Sequence, residues 1–244
     1  MNKDTCIKLM GLDLSWQGGN CSGLATGTLQ GTVLSLDELT VKVFSPEELL
    51  SKVEAAHPTG IAIDAPLIIN NHTSNRDCER LIGKHYGSRG ASCHTSNLTL
   101  FPDALGVRLS KALLSQGYNH LAGPRWQIEC YPHPALIEIF NLPYRLAYKK
   151  GKVGERRVGQ IKLANHICSL TTRTDLTLSL PATLTAWIDP ERINSLRGQA
   201  LKHNEDGLDA IICLYIAARH QLGLTKVFPP KPCDGPVTRD YIVV

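Results

Sequence analysis

Two short apolar runs, each closed by an aspartate, constrain this chain more than any other feature. Leu9, Met10, Gly11 and Leu12 lead into Asp13, and Ile61, Ala62 and Ile63 lead into Asp64. A continuous apolar run of this kind is the pattern of a strand covered on both faces, which belongs to a layered α/β fold. In an open α/β sheet ligands bind beyond the carboxyl ends of the strands, where both aspartates fall. A carboxylate in so apolar a setting is unfavourable without a partner, and two together need a cation.

A third contribution comes from the clearest helical pattern in the chain, 205–221, in which Glu205, Asp206 and Asp209 precede an apolar run over 210–218. Residues three apart on a helix differ by about 60° around the axis, so Asp206 and Asp209 share a face. Oxygen-only ligands suit Mg²⁺ or Mn²⁺ better than zinc. None of the eight cysteines lies two residues from another, so neither a zinc knuckle nor a redox pair is visible. Taken singly, each acid has a plainer role: a turn cap at Asp13, an Asp-Ala-Pro turn at Asp64, solvated first-turn acids at Asp206 and Asp209. The set of four points instead to a site of two metals about 3.5–4 Å apart that activates water for phosphodiester cleavage.

The rest of the chain reads as one domain, 1–244, with a helical insertion around 75–120 and a proline-rich tail, 227–244. Glycine-punctuated strand-like stretches at 6–14, 22–29 and 32–44 suggest an antiparallel meander. Ser45, Pro46 and Glu48 then stand where a helix cap, first-turn proline and capping-box acid belong. A strand over 60–65, helices over 75–86 and 102–116, a strand over 126–131 and a short helix over 135–140 follow. The polar segment 87–97 reads as a mobile loop, and helical pattern resumes at 161. The terminal 241–244 is strand-like and suited to a sheet edge. The sheet is therefore expected to be mixed. At 43% hydrophobic and 20% charged the composition is that of a globular chain rather than a disordered one. No window approaches the run of about 18 apolar residues that crosses a bilayer, so a soluble, cytoplasmic protein without a membrane partner is expected, most of its cysteines being small buried hydrophobes. The net charge of +4 is compatible with a polyanionic partner and does not identify one.

The stretches MGLDLSW (10–16), GIAIDAPL (60–67), RDCERLI (76–82), ECYPHPAL (129–136) and EDGLDAIICLYIA (205–217) resemble the domain-of-unknown-function 429 family, regarded as predicted nucleases, over most of the chain. The second and last stretches are the most specific. The resemblance implies a ribonuclease H-like α/β fold, a central mixed five-stranded sheet with helices on both faces. It puts Asp13 on the first strand, Asp64 at the end of the fourth, and Asp206 and Asp209 opposite them, in a spacing similar to the helix aspartates of Holliday-junction resolvases. Glu129 matches a recurring family glutamate on the fifth strand, as a further metal ligand or as an anchor for the following loop.

Outside the acids, Arg145, Lys149, Lys150, Lys152, Arg156 and Arg157 form a basic stretch that suits backbone phosphates as well as it suits a solvated loop. Lys149 is the best candidate within it, because Tyr148 beside it offers a base-stacking surface. Arg89 and His94 follow soon after the Asp64 strand, within reach of a scissile phosphate. Arg76 and Arg80, one helical turn apart, fit either phosphate contact or pairing with Asp77 and Glu79. Trp16 fits stacking on a base or packing over the strand end. The leading functional expectation is a metal-dependent nuclease, with DNA and RNA left open and a homodimer natural only by analogy with junction-cutting enzymes. The alternatives are a non-catalytic module that binds nucleic acid or protein, and an actin-like nucleotide-binding phosphotransferase. The last needs a second related subdomain and a second glycine-rich phosphate turn, and the chain shows neither.

Overall fold

In the computed structural model, which describes residues 5–230 and 237–244, a meander opens the chain: β1 (Cys6–Asp13), β2 (Ser22–Gln30) and β3 (Val33–Lys42). There follow α1 (Pro46–Ala56), β4 (Gly60–Asp64), α2 (Asp77–Tyr86), α3 (Leu105–Ser115), β5 (Tyr118–His120) and β6 (Arg125–Glu129). The chain continues through α4 (Pro132–Phe140), α5 (Val153–Ser169), β7 (Thr177–Ser179), α6 (Pro190–Ser195), α7 (Gly198–Gln221), β8 (Val227–Phe228) and β9 (Ile242–Val243). The main sheet has the order β5-β6-β4-β1-β2-β3-β7; β1, β2 and β3 pair antiparallel and every other neighbour is parallel. It is a mixed α/β sheet of seven strands rather than the expected five, because the three-residue strands β5 and β7 extend its two edges. Glu129 accordingly ends the sixth strand in chain order. The terminal strand β9 pairs with β8 in a separate two-stranded ribbon, touching the main sheet only through a bridge between Cys130 and Val243.

Strand alternation divides the interior into two cores. On one face Leu9 of β1, Ala25 and Leu29 of β2 and Ala62 of β4 pack with α2, α4, α5 and α7. On the other, Met10, Leu12, Leu24, Ile61 and Ile63 pack with Leu49 and Val53 of α1 and Leu105, Leu109 and Leu113 of α3. Every residue of α7 from Leu208 to Ala218 is buried, as befits a helix apolar on all sides. It lies against the backbone of the sheet: a Cβ on Gly11 would stand 2.1 Å from Leu214 N, and one on Gly23 2.1 Å from Asp206 O. Ser45 caps α1 as expected, its hydroxyl accepting from Glu48 N at 3.2 Å while Glu48 accepts from Ser45 N at 3.0 Å.

Three further expectations are corrected. The segment 87–97 is tied down: Glu79 accepts from Ser96 N at 3.1 Å, Asn75 from the Thr95 hydroxyl at 2.8 Å, and Ser92 O from the Tyr131 hydroxyl at 3.0 Å. The last long helix begins at Gly198, not near 205, so its acids lie in mid-helix and not in a solvated first turn. Of the described cysteines only Cys78, Cys130 and Cys213 are buried, and Cys233 lies outside the described residues. No helix among the described residues is long and apolar enough to cross a membrane.

Candidate functional site

Asp13 has the strand parity of Leu9 and Gly11, and Asp64 that of Ala62, so both carboxylates leave the sheet on the face that α7 covers. β1 and β4 run parallel with Asp13 and Asp64 as register partners, so the two acids stand side by side at the strand ends. From α7, Asp209 and, nearly one turn earlier, Asp206 face them, held there by the glycine contacts that let the helix approach the sheet. The four acids expected from the sequence thus occupy one region, and Glu205 joins them.

Two ammonium groups stand among these carboxylates. Lys149 Nζ lies 2.9 Å from Asp209 and 3.8 Å from Asp64. Lys202 Nζ lies 2.7 Å from both Glu205 and Asp206, and Arg156 reaches Glu205 at 3.1 Å. Tyr148 donates its hydroxyl proton to Asp209 at 2.6 Å. Desolvation lifts the Asp13 carboxyl well above its usual range, with Asp209 adding to the effect and Lys149 opposing it. Burial pushes Asp64 up to about 7 even though Lys149 favours its charged form. Burial likewise raises Asp206, against Lys202. For Lys149 burial works against the charge, but Asp209 and its neighbours outweigh it and lift the ammonium well above its ordinary range. Counting Asp13, Asp64, Glu205, Asp206 and Asp209 against Lys149, Lys202 and Arg156, full ionisation leaves two negative charges unbalanced.

Two clefts meet over Asp13 and Trp16. One, of about 620 Å³, is lined by Asp206, Lys202, Gln199 and Cys21. The other, of about 310 Å³, is lined by Asp64, His94, Tyr131, His133, Tyr148, Lys149, Arg145 and Lys150. Trp16 is half-buried and packs edge-on against Phe101 at 5.4 Å between ring centroids. Of the basic stretch, Arg145 and Lys150 also border a broad open groove of about 860 Å³ with Lys152 and Lys162. Arg157 instead donates to Leu196 O at 2.8 Å.

Several candidate residues have other roles. Arg76 does not meet solvent: 2% exposed, it donates to Glu79 at 2.8 Å and clamps Glu129 at 2.8 and 2.5 Å. Those two hydrogen bonds, with Leu67 N donating to the same carboxylate at 2.8 Å, give Glu129 the loop-anchoring contacts of one of the two roles open to it. Arg80 pairs with Asp77. Arg89 stacks over the Tyr86 ring and reaches Glu138 at 3.5 Å, outside the lining of the acidic clefts. His94 is exposed and lines the smaller cleft. Tyr148 offers no stacking surface, being fully buried beneath Asp209. Lys149 turns inward to the acids instead of outward to phosphate. The sequence reading passed over Lys202 and His133. Lys202 stands three and four residues before Glu205 and Asp206, a helical ion-pair spacing that only an earlier helix start makes visible. His133 stands two residues after Tyr131, but its other ring partner, Tyr148, meets it only through the fold.

In chemistry the donors are those of a hard divalent cation: every acid is a carboxylate, Asp206 Oδ2 is buried without a hydrogen-bond partner, and the two charges left over at full ionisation equal those of one such ion. The arrangement itself is closed by lysine. Among the described residues no group of three His, Cys, Asp or Glu side chains is placed to hold a metal ion, Lys149 standing between Asp64 and Asp209. Neither the curated proteins nor the solved structures contain a match to the chain. A family model described as Protein of unknown function (DUF429) matches residues 11–234, and the chain belongs to that family.

Proposed function

We propose that the protein is a metal-dependent nuclease of ribonuclease H-like fold that hydrolyses phosphodiester bonds, with Mg²⁺ or Mn²⁺ held by Asp13, Asp64, Asp206 and Asp209. The observation that carries the reading is the register pairing of Asp13 with Asp64 directly beneath Asp209, a concentration of like charge that two lysines only partly neutralise. The inner five strands, β3-β2-β1-β4-β6, support the fold assignment, since an antiparallel meander followed by parallel strands puts the acids on the first and fourth strands and the late helix. When bound, such an ion supplies Lewis-acid polarisation of the phosphate and an acidified water. The chain's own part is to fix the carboxylates. Tyr148 holds the rotamer of Asp209, and the Arg76–Glu129 pair braces the loop that follows Asp64. Lys149, with 27% of its side chain exposed, has room to swing outward and leave Asp64 and Asp209 to the ion. Arg145 and Lys150 at the cleft, and Lys152 and Lys162 along the adjoining groove, supply a path for backbone phosphates.

The test is cleavage of single-stranded, duplex, hybrid and branched DNA and RNA in Mg²⁺ or Mn²⁺. Asp13→Asn is expected to lower the rate at least about a hundredfold, as loss of metal support does elsewhere. Unchanged cleavage in Asp13→Asn would exclude the mechanism. One observation favours a second reading, a non-catalytic nucleic-acid-binding module: the acids are already closed by Lys149 and Lys202. That reading stands if nucleic acid binds and no substrate is cleaved in either metal.

A further inference from the structure

The smaller cleft has properties that metal chemistry does not need. Trp16, Tyr131 and His133 line it together with Asp13 and Asp64, and the buried Tyr148 backs His133. Tyr131 meets His133 edge-on at 5.8 Å, and His133 tilts against Tyr148 at 5.2 Å. His133 is 8% exposed, and its Nδ1 has no hydrogen-bond partner, although buried side-chain nitrogens almost always have one. Arg145 and Lys150, on the same wall, bring positive charge. At about 310 Å³ the cleft lies at the small end of ligand pockets, which run from about 300 to 1,000 Å³, so it suits one ring system rather than an extended ligand.

A ligand matched to this wall has flat apolar faces, a polar edge and an attached anion. We propose that the cleft beside Asp64 is a pocket for an unpaired nucleobase, so that the substrate is single-stranded or carries a nucleotide flipped out of its duplex next to the scissile phosphate; this rests on the nuclease reading above. A base within a duplex is stacked and paired, and cannot enter a side cleft without leaving the helix. Bases in single strands are free to stack on aromatic side chains, with little regard to sequence. Burial, helped by Lys149, lowers the His133 pKa to about 3, so near neutrality the imidazole is uncharged and presents one donor and one acceptor. That is the complement of the mixed donor and acceptor edge of a base. Asp64, with Arg145 and Lys150 on the same lining, then faces the phosphate attached to that nucleotide.

The experiment measures affinity, not cleavage, by fluorescence anisotropy of the full chain in EDTA. Three labelled probes of equal length are compared: a single strand, the same strand annealed to its complement, and a strand of abasic sites carrying the same phosphates. The single strand is expected to bind about tenfold more tightly than either of the others, the range of one stacked base. Tyr131→Ala and His133→Ala are expected to bring the single strand down to the abasic level and leave the abasic strand unchanged. Tyr131→Ala alters a half-buried side chain and His133→Ala a buried one, so thermal melts of both identify a variant that fails to fold. Equal affinity for the base-bearing and abasic strands overturns the base pocket and leaves the nuclease reading intact. So does a folded Tyr131→Ala that keeps the full preference. Absence of binding to any probe also overturns the base pocket, and cleavage in Mg²⁺ or Mn²⁺ then decides the nuclease reading separately.

Discussion

His120, at the end of β5, makes three of its neighbours interdependent. Its Nδ1 lies 2.8 Å from the Tyr241 hydroxyl and its Nε2 3.2 Å from the Ser110 hydroxyl, while the Tyr241 hydroxyl donates to Gln127 O at 3.2 Å. With its one proton spent on Gln127, Tyr241 accepts from Nδ1–H, and Nε2 accepts from Ser110. The imidazole is therefore held neutral, and burial lowers its pKa to about 4. An unfolded histidine titrates near 6.5. As pH falls below that value the unfolded chain takes up a proton that the folded chain refuses, so stability declines through the window from about 6.5 to 4 and levels off below it. The expected loss from this group is about 3 kcal/mol. Urea unfolding at stepped pH checks it: His120→Gln should show a shallower decline than the parent, with His133 accounting for part of what remains. Equal slopes in both proteins would refute the assignment. The same contrast separates legible residues from illegible ones. Asp13, Asp64 and Asp209 were readable because strand and helix periods fix where they point. His120 was not, since Tyr241 lies 121 residues away and no local pattern records such a partner.

At Gly11 and Gly23 the contact between α7 and the sheet is made by backbone rather than by side chains. Gly11 and Gly23 admit the helix to β1 and β2, and the Gly23 contact is with Asp206 itself, so the packing of the element and the position of the acid are one feature. Gly23→Ala is expected to destabilise the fold by about 1–3 kcal/mol, as overpacking does, because the obstacle is a carbonyl and not a flexible side chain. Gly83→Ala on α2 is the control: nothing lies within 4 Å of the added methyl, and a stabilisation of about 0.5–1 kcal/mol follows from helix propensity. Urea unfolding of the two variants tests the pair. A Gly23→Ala protein as stable as the parent would mean that α7 does not bear on the sheet there. Elements with long periods were legible in the sequence: the meander, the capped α1, β4 and the body of α7. The additions β5 and β7 were not, as three residues carry no period and their strand character comes from pairing with β6 and β3. The start of α7 was missed because the residues from Gly198 to Asn204 bring neither an apolar stripe nor a good cap; Arg197 holds the cap position without a side-chain hydrogen bond.

For the molecule as a whole, the acid centre lies where strands β1 and β4, helix α7 and the segment before α5 meet, so its electrostatic imbalance bears on the stability of the entire fold. Lys149 is the only link between that segment and both Asp64 and Asp209 among the described ion pairs. Removing its charge in Lys149→Met leaves Asp209, fully buried, without a counter-ion. Breaking a buried pair in this way costs about 3–5 kcal/mol, and the partial exposure of the lysine brings the expected loss nearer 2 kcal/mol. If the carboxylates are built for a divalent ion, Mn²⁺ should restore what the lysine supplied. At a concentration a hundredfold above its Kd, Mn²⁺ stabilises the folded state by about 2.7 kcal/mol, which for a chain of this size raises Tm by about 5–10 °C. The increment should be larger in Lys149→Met than in the parent, where the ion must first displace the ammonium, and it should vanish in Asp13→Asn. Thermal melts with and without millimolar Mn²⁺ decide the matter. A parent and a Lys149→Met protein that both ignore the metal, or an Asp13→Asn protein that responds as fully as the parent, would show the lysines to be permanent partners of the acids and the centre to be a structural ion-pair network.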